Sequence, residues 1–134
     1  MAKKQSHRGI GMAEVLAEHM KDPAFAVAYR RRRFVHEVAV AVRKLREAAG
    51  ITQVQLAERM GVAQSVIGRL EGAKDQQPRF DLLHRVAAAV DLGVRVVFCP
   101  PGKGDQPLAV IDDAAAAHLE KAARKAARSA KRAA

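Results

Sequence analysis

Thr52 to Glu71, TQVQLAERMGVAQSVIGRLE, is the stretch that decides how this chain folds. Leu56, Ala57 and Met60 recur at helical spacing, and so do Val66, Ile67 and Leu70. Gly61 lies between the two runs and is suited to the positive φ that ends one helix and turns the chain. Thr52 suits the N-cap of the first helix, which opens with Gln53. Ala57, four residues before Gly61, leaves room for the second helix to cross closely, and Ile67, six after it, fills the angle between the two. The spacing predicts a helix-turn-helix, the arrangement that offers its second helix to the major groove of a duplex.

Helices are expected on both sides of this unit. Phe34 to Ala49 carries Phe34, Val38, Val42 and Leu45 at a period near 3.6, with Gly50 to close it and Arg43, Lys44 and Arg46 pointing away from the core. Gly72 to Pro78 is polar and aperiodic, a loop. Arg79 to Val90 follows as a helix with Leu82, Leu83, Val86, Ala87 and Val90 inward, ended by Gly93. Val94 to Cys99 is short and β-branched, with Val94, Val96 and Phe98 on one side, and Pro100-Pro101-Gly102 stops it. A lone strand leaves its backbone groups unpaired. It either pairs with the same strand of a second copy, giving a two-fold homodimer, or tucks against its own helices.

The ends differ in character. Residues 1–11 are polar and read as a mobile start. Met12 to Met20 is a short amphipathic helix with Val15, Leu16 and Met20 on one side. Asp22 can cap a further helix and Pro23 can take its first position, with Phe25, Val27 and Tyr29 close behind and four arginines, Arg30 to Arg33, after them. Those arginines read either as a solvated helix face or as a contact with phosphates or an acidic surface. Asp105 to Ile111 is a linker, and Asp112 to Ala134 is Ala-rich with Lys121, Arg124, Lys125, Arg128, Lys131 and Arg132 spaced three or four apart in two adjacent rows. An alanine face gives little to bury, so this segment is expected to be a solvated tail, or one that folds on a partner, adding non-specific phosphate affinity near DNA. The resulting division is an arm at 1–33, a core domain at 34–99 with its strand at 94–99, and a linker with tail at 100–134.

Composition narrows the function. The 134 residues carry a formal net charge of +10, which favours a polyanionic partner. Aromatic residues make up 4% with no Trp, which argues against stacking of single-stranded bases. Cys99 is the only cysteine, so no internal disulfide forms and an intracellular setting is expected. No apolar run suits a membrane span, and the start lacks the apolar core of a signal peptide. The tail lacks the large apolar face that membrane insertion requires. His7, His19, His36, His84 and His118 are scattered, with no metal-ligand spacing, and Cys99 has no nearby partner that would make it a nucleophile. No catalytic residue, no metal and no cofactor is expected, and the chain does not read as an enzyme.

Residues 45–92 resemble the XRE (Cro/C1-type) helix-turn-helix family, through LREAAGITQVQLAERMGVAQSVIGRLEGAK and the following FDLLHRVAAAVDL. One departure is Ala63, where a capping Ser is usual. The resemblance implies a mainly α fold: a five-helix XRE-type domain, one short C-terminal β-strand pairing across a dimer, and flexible N- and C-terminal extensions. It also implies base contacts at Gln64, Ser65 and Arg69 and a phosphate contact at Gln53. The side chains agree in kind. Gln64 has the amide fork that pairs with adenine, Arg69 the guanidinium fork that suits guanine, and Val66 is placed to meet a thymine methyl. Arg43 and Lys74 are further phosphate candidates.

The order of elements is also similar to HigA-type antitoxins of type II toxin–antitoxin modules: a helical arm with DPAF and Tyr29, then the helix-turn-helix, then one valine-rich strand. That resemblance implies a cytoplasmic dimeric repressor that regulates its own operon and neutralises a RelE/HigB-type ribonuclease toxin, with Phe25 and Tyr29 as toxin contacts. A stand-alone XRE-family transcriptional regulator without a toxin partner remains the other reading.

Overall fold

The computed structural model describes residues 9, 11–74, 77–98 and 112–133. The expected mobile start at 1–8 and 10, Cys99 and the 105–111 linker lie outside the described residues. The chain divides into two units, residues 1–33 and residues 34–134. Six helices occur among the described residues: α1 (Met12–His19), α2 (Pro23–Ala48), α3 (Gln53–Met60), α4 (Gln64–Glu71), α5 (Phe80–Ala88) and α6 (Asp113–Ala133).

In the first unit, α1 buries none of its residues, although Leu16 and the following Met20 are half-buried. Asp22 caps the start of α2 as expected: its Oδ1 accepts from the Ala24 N–H at 3.0 Å, and Pro23 takes the first helical position. His19, Phe25 and Tyr29 form a short aromatic row, with ring centroids 5.1 Å and 6.2 Å apart. The helix then continues through Arg30 to Arg33 without a break, because arginine and alanine are strong helix formers. The expected start at Phe34 is therefore corrected to Pro23.

The second unit is built on a core of Val38, Val42, Ile51, Leu56, Ala57, Met60, Ile67, Leu70, Val86 and Val90, joined by Leu119. Leu56 and Ile67 are fully buried, as the stretch at 52–71 requires. On α2 the buried line is Val35, Val38, Ala39 and Val42. Phe34 lies roughly 100° round the helix from Val35 and is 42% exposed, so it does not belong to the expected stripe. Arg46 lies on the same line as Val35 and Val42, and it turns inward instead of pointing away.

Four consecutive helices end in the same closure. In each, the N–H of the left-handed turning residue bonds three residues back and the next N–H five residues back. The turning residues are Gly50 and Gly61, at φ 69 and 64, and then Ala73 and Asp91, at φ 54 and 61. The first two are the expected glycines. At the end of α5 it is Asp91, not Gly93, that takes the left-handed conformation, which ends the helix at Ala88 rather than Val90.

Two expectations meet a different chain at the C-terminal side. Residues 92–98 have no regular secondary structure in the single chain. The Ala-rich segment is a helix of 21 residues, α6, not a solvated tail, because Leu119 gives it one anchor: that side chain is 3% exposed and part of the core. His118 Nε2 lies 3.1 Å from Asp91 Oδ2 beside it.

Candidate nucleic-acid interface

The interface is built by α3 and α4. Thr52 caps α3 through a capping box, its hydroxyl accepting from the Gln55 N–H at 3.1 Å while Gln55 Oε1 accepts from the Thr52 N–H at 2.9 Å. Gly61 then turns the chain, and α4 starts at Gln64 without a side-chain cap, since Ala63 offers none. Ile67, Leu70 and Glu71 face inward on α4, while Gln64, Ser65 and Arg69 are exposed and Val66 and Gly68 are half-buried. The three exposed side chains therefore share the face of α4 turned away from the core.

Behind that face sits a buried carboxylate. Glu71 is 4% exposed. Arg46 grips it bidentately, Nε to Oε1 at 2.6 Å and Nη2 to Oε2 at 3.0 Å, and also donates from Nη1 to the Ile51 carbonyl at 2.9 Å. Gln53 Nε2 donates to Glu71 Oε2 at 3.0 Å. Burial pushes the Glu71 carboxyl up, but the hydrogen bonds from Arg46 and Gln53 and the charges of Arg46 and Arg43 outweigh it and hold the group below the ordinary carboxylate range. The hydrogen bond to Glu71 raises the Arg46 guanidinium in turn, against its partial desolvation.

This pair sets the polarity of what lies in front of it. A carboxylate accepts only, so Gln53 must turn its amide nitrogen to Glu71. Its Oε1 then faces outward and accepts from Gln64 Nε2 at 2.8 Å. One N–H and the Oε1 of Gln64 are left without a partner among the described residues, a donor and an acceptor side by side. Gly68 lies beside this bond: a Cβ there would stand in ordinary contact, 3.6 Å from Gln64 Nε2 and 3.7 Å from Gln53 Oε1. The chain Arg46–Glu71–Gln53–Gln64 thus runs from the core to the exposed face and orients an adenine-type fork at its end.

The other expected residues fall around it. Arg43 donates from Nη2 to the Glu71 carbonyl at 3.2 Å, with a side chain 54% exposed. Lys74 is exposed just past the end of α4. Val94, Val96 and Phe98 are exposed, Phe98 almost completely. Phe25 and Tyr29 belong to the first unit, where they stack on each other. Arg46 and Glu71 are the residues that reading the sequence missed. Their signal was present, because Glu71 continues the Ile67–Leu70 stripe and Arg46 lies four residues after Val42. A charge on a core stripe calls for a buried partner.

Residues 37–96 match the family model of a helix-turn-helix domain. That stretch is under half of the 134 residues, and over it the chain is similar to helix-turn-helix domains. The match takes in the whole Arg46–Glu71–Gln53–Gln64 chain together with α5, and excludes α1, the first half of α2 and α6. No curated protein and no solved structure matches the chain. No helix among the described residues is long and apolar enough to cross a membrane, and no described group of three or more His, Cys, Asp and Glu is arranged to hold a metal ion.

Proposed function

We propose that this protein is a sequence-specific double-stranded DNA-binding repressor of XRE type, reading base edges with Gln64, Ser65, Val66 and Arg69 and holding phosphates with Gln53, Arg43 and Lys74. The observation that carries the reading is the free fork of Gln64, held on an exposed helix face by a hydrogen-bonded chain anchored on a buried ion pair. Gln53 serves a phosphate through its backbone N–H at the start of α3, since its side chain is engaged with Glu71 and Gln64. Residues 94–98 pair with their counterparts in a second copy. Their exposed Val94, Val96 and Phe98, and their lack of a partner strand within the described chain, support that dimer.

The finer role is that of a toxin–antitoxin repressor whose arm grips a RelE/HigB-type toxin. Exposed apolar side chains on that arm, Met12, Phe25 and Val27, support a protein partner there. The stand-alone regulator is favoured by a different observation: Arg30 to Arg33 are all exposed on the same arm, the wrong charge for a basic toxin. Co-purification with the product of the neighbouring gene separates the two.

Binding to duplexes from the upstream region, against scrambled duplex at physiological ionic strength, tests the DNA reading. Gln64→Ala should lose about 1–3 kcal/mol on the preferred duplex and relax preference at one base pair. An equal loss on scrambled DNA would leave Gln64 with backbone support only.

A further inference from the structure

The strongest feature that the helix-turn-helix does not absorb is α6. Leu119 is its single buried side chain, and every described residue from Glu120 onward is exposed. One anchored position fixes the rotation of a helix about its axis. At about 100° per residue, Lys121, Arg124, Lys125, Arg128, Lys131 and Arg132 fall within an arc of about 120° centred opposite Leu119. The rest of α6 beyond Leu119 is Ala, apart from Glu120 and Ser129. All six cations are exposed, and none has a hydrogen-bond or ion-pair partner among the described residues.

We propose that α6 is a second DNA-contacting element, a clamp for the phosphates of duplex DNA whose basic face is aimed outward by the docking of Leu119. This rests on the DNA-binding reading of the helix-turn-helix and adds a separate surface to it. The dimensions fit. Lys121 to Arg132 spans about 17 Å of helix, over which a duplex presents about ten phosphates, roughly half of them on the near side. Such a face carries no base-reading fork in a fixed position, so it adds affinity without sequence preference. An anionic lipid surface would attract the same charges, but beyond Leu119 the helix has no Leu, Phe or Trp to insert.

The test replaces all six by Gln (K121Q, R124Q, K125Q, R128Q, K131Q, R132Q), which keeps helix propensity and leaves Leu119 in place. Binding to a fluorescent 30-base-pair duplex of arbitrary sequence, and to the preferred upstream duplex, is followed from about 0.05 to 0.3 M salt. Each lost phosphate contact flattens the plot of log Kobs against log salt by about 0.9, so a change of about three to five is expected, with affinity at 0.1 M salt falling at least about tenfold on both duplexes. R128Q/K131Q/R132Q, distant from Leu119, should give about half the change and guards against misfolding of the full variant. Coincident slopes for both variants and the natural chain overturn the proposal. So does loss of binding to phosphatidylserine vesicles with DNA binding unaltered. If the natural chain prefers no duplex but the slopes still differ, the base-reading helix fails and α6 stands; the reverse pattern leaves the recognition helix and removes α6.

Discussion

Two groups of charges in the second unit are handled in opposite ways. At the C-terminal end of α4, Arg46 and Glu71 are taken out of water, paired bidentately and extended through Gln53 to Gln64. On α6, six cations stand in solvent with no ion-pair partner among the described residues. The first arrangement loses solvation energy and gains a fixed geometry, since each bond dictates the orientation of the next group. The second keeps its solvation and fixes only the direction in which charge is displayed. Discrimination between bases needs the former, and attraction to a uniform line of phosphates needs the latter.

The most severe way to break this contrast is Glu71→Ala. It leaves the half-buried Arg46 guanidinium with only the Ile51 carbonyl and the exposed Glu47 carboxylate, and should lower stability by about 2–4 kcal/mol in urea denaturation at neutral pH. A loss below about 1 kcal/mol would mean that water reaches Arg46 and that the pair does not organise the site. Acid sharpens the same point. Glu71 titrates below its ordinary value of 4.5 in the folded chain, so its contribution is present above that value and disappears as pH falls through the lowered folded value. Glu71→Gln should remove that part of the acid dependence, read as urea midpoints between pH 7 and 3.

Leu119→Ala comes next. It takes away the only buried side chain of α6 and should cost about 2–3 kcal/mol. A change within about 0.5 kcal/mol would show that α6 is not docked and that its charges have no fixed direction. The smallest expected effect concerns neither group of charges but the hinge beside one of them. Ala73 closes α4 at φ 54, where a side chain is strained. Ala73→Gly should raise stability by about 0.5–1 kcal/mol, measured by the same denaturation, and leave the Gln64 fork in place. A loss instead would show that the Ala73 methyl packs favourably enough to outweigh its backbone strain.

Much of the second unit was legible residue by residue. Thr52, Gly61, Ala57 and Ile67 carry their roles in their chemistry: a hydroxyl that caps, a residue without Cβ at a left-handed turn, a small side chain at a helix crossing and a large one in the angle. Gly50 was legible for the same reason, as was Asp22 in the first unit. The exposed positions of α4 follow from the buried ones, because a helix has one phase. Gly93 misled because glycine prefers the left-handed turn without being required for it, and Asp91 reached that conformation first. Phe34 misled because large apolar residues suggest a core, while the phase of α2 was set by Val35 and Val38.

Sequence alone, then, determined local elements of this protein: the phases of α3 and α4, the N-cap at Thr52, the turn at Gly61 and the side chains offered by α4. These depend on neighbours within about one turn of chain. Tertiary structure alone decided that Arg46 meets Glu71 across 25 residues, that Gln53 must therefore turn its oxygen to Gln64, and that Leu119 docks α6. Those are long-range contacts. A charge or a leucine on a helix face is compatible with many partners until the packing of the other helices leaves one within reach.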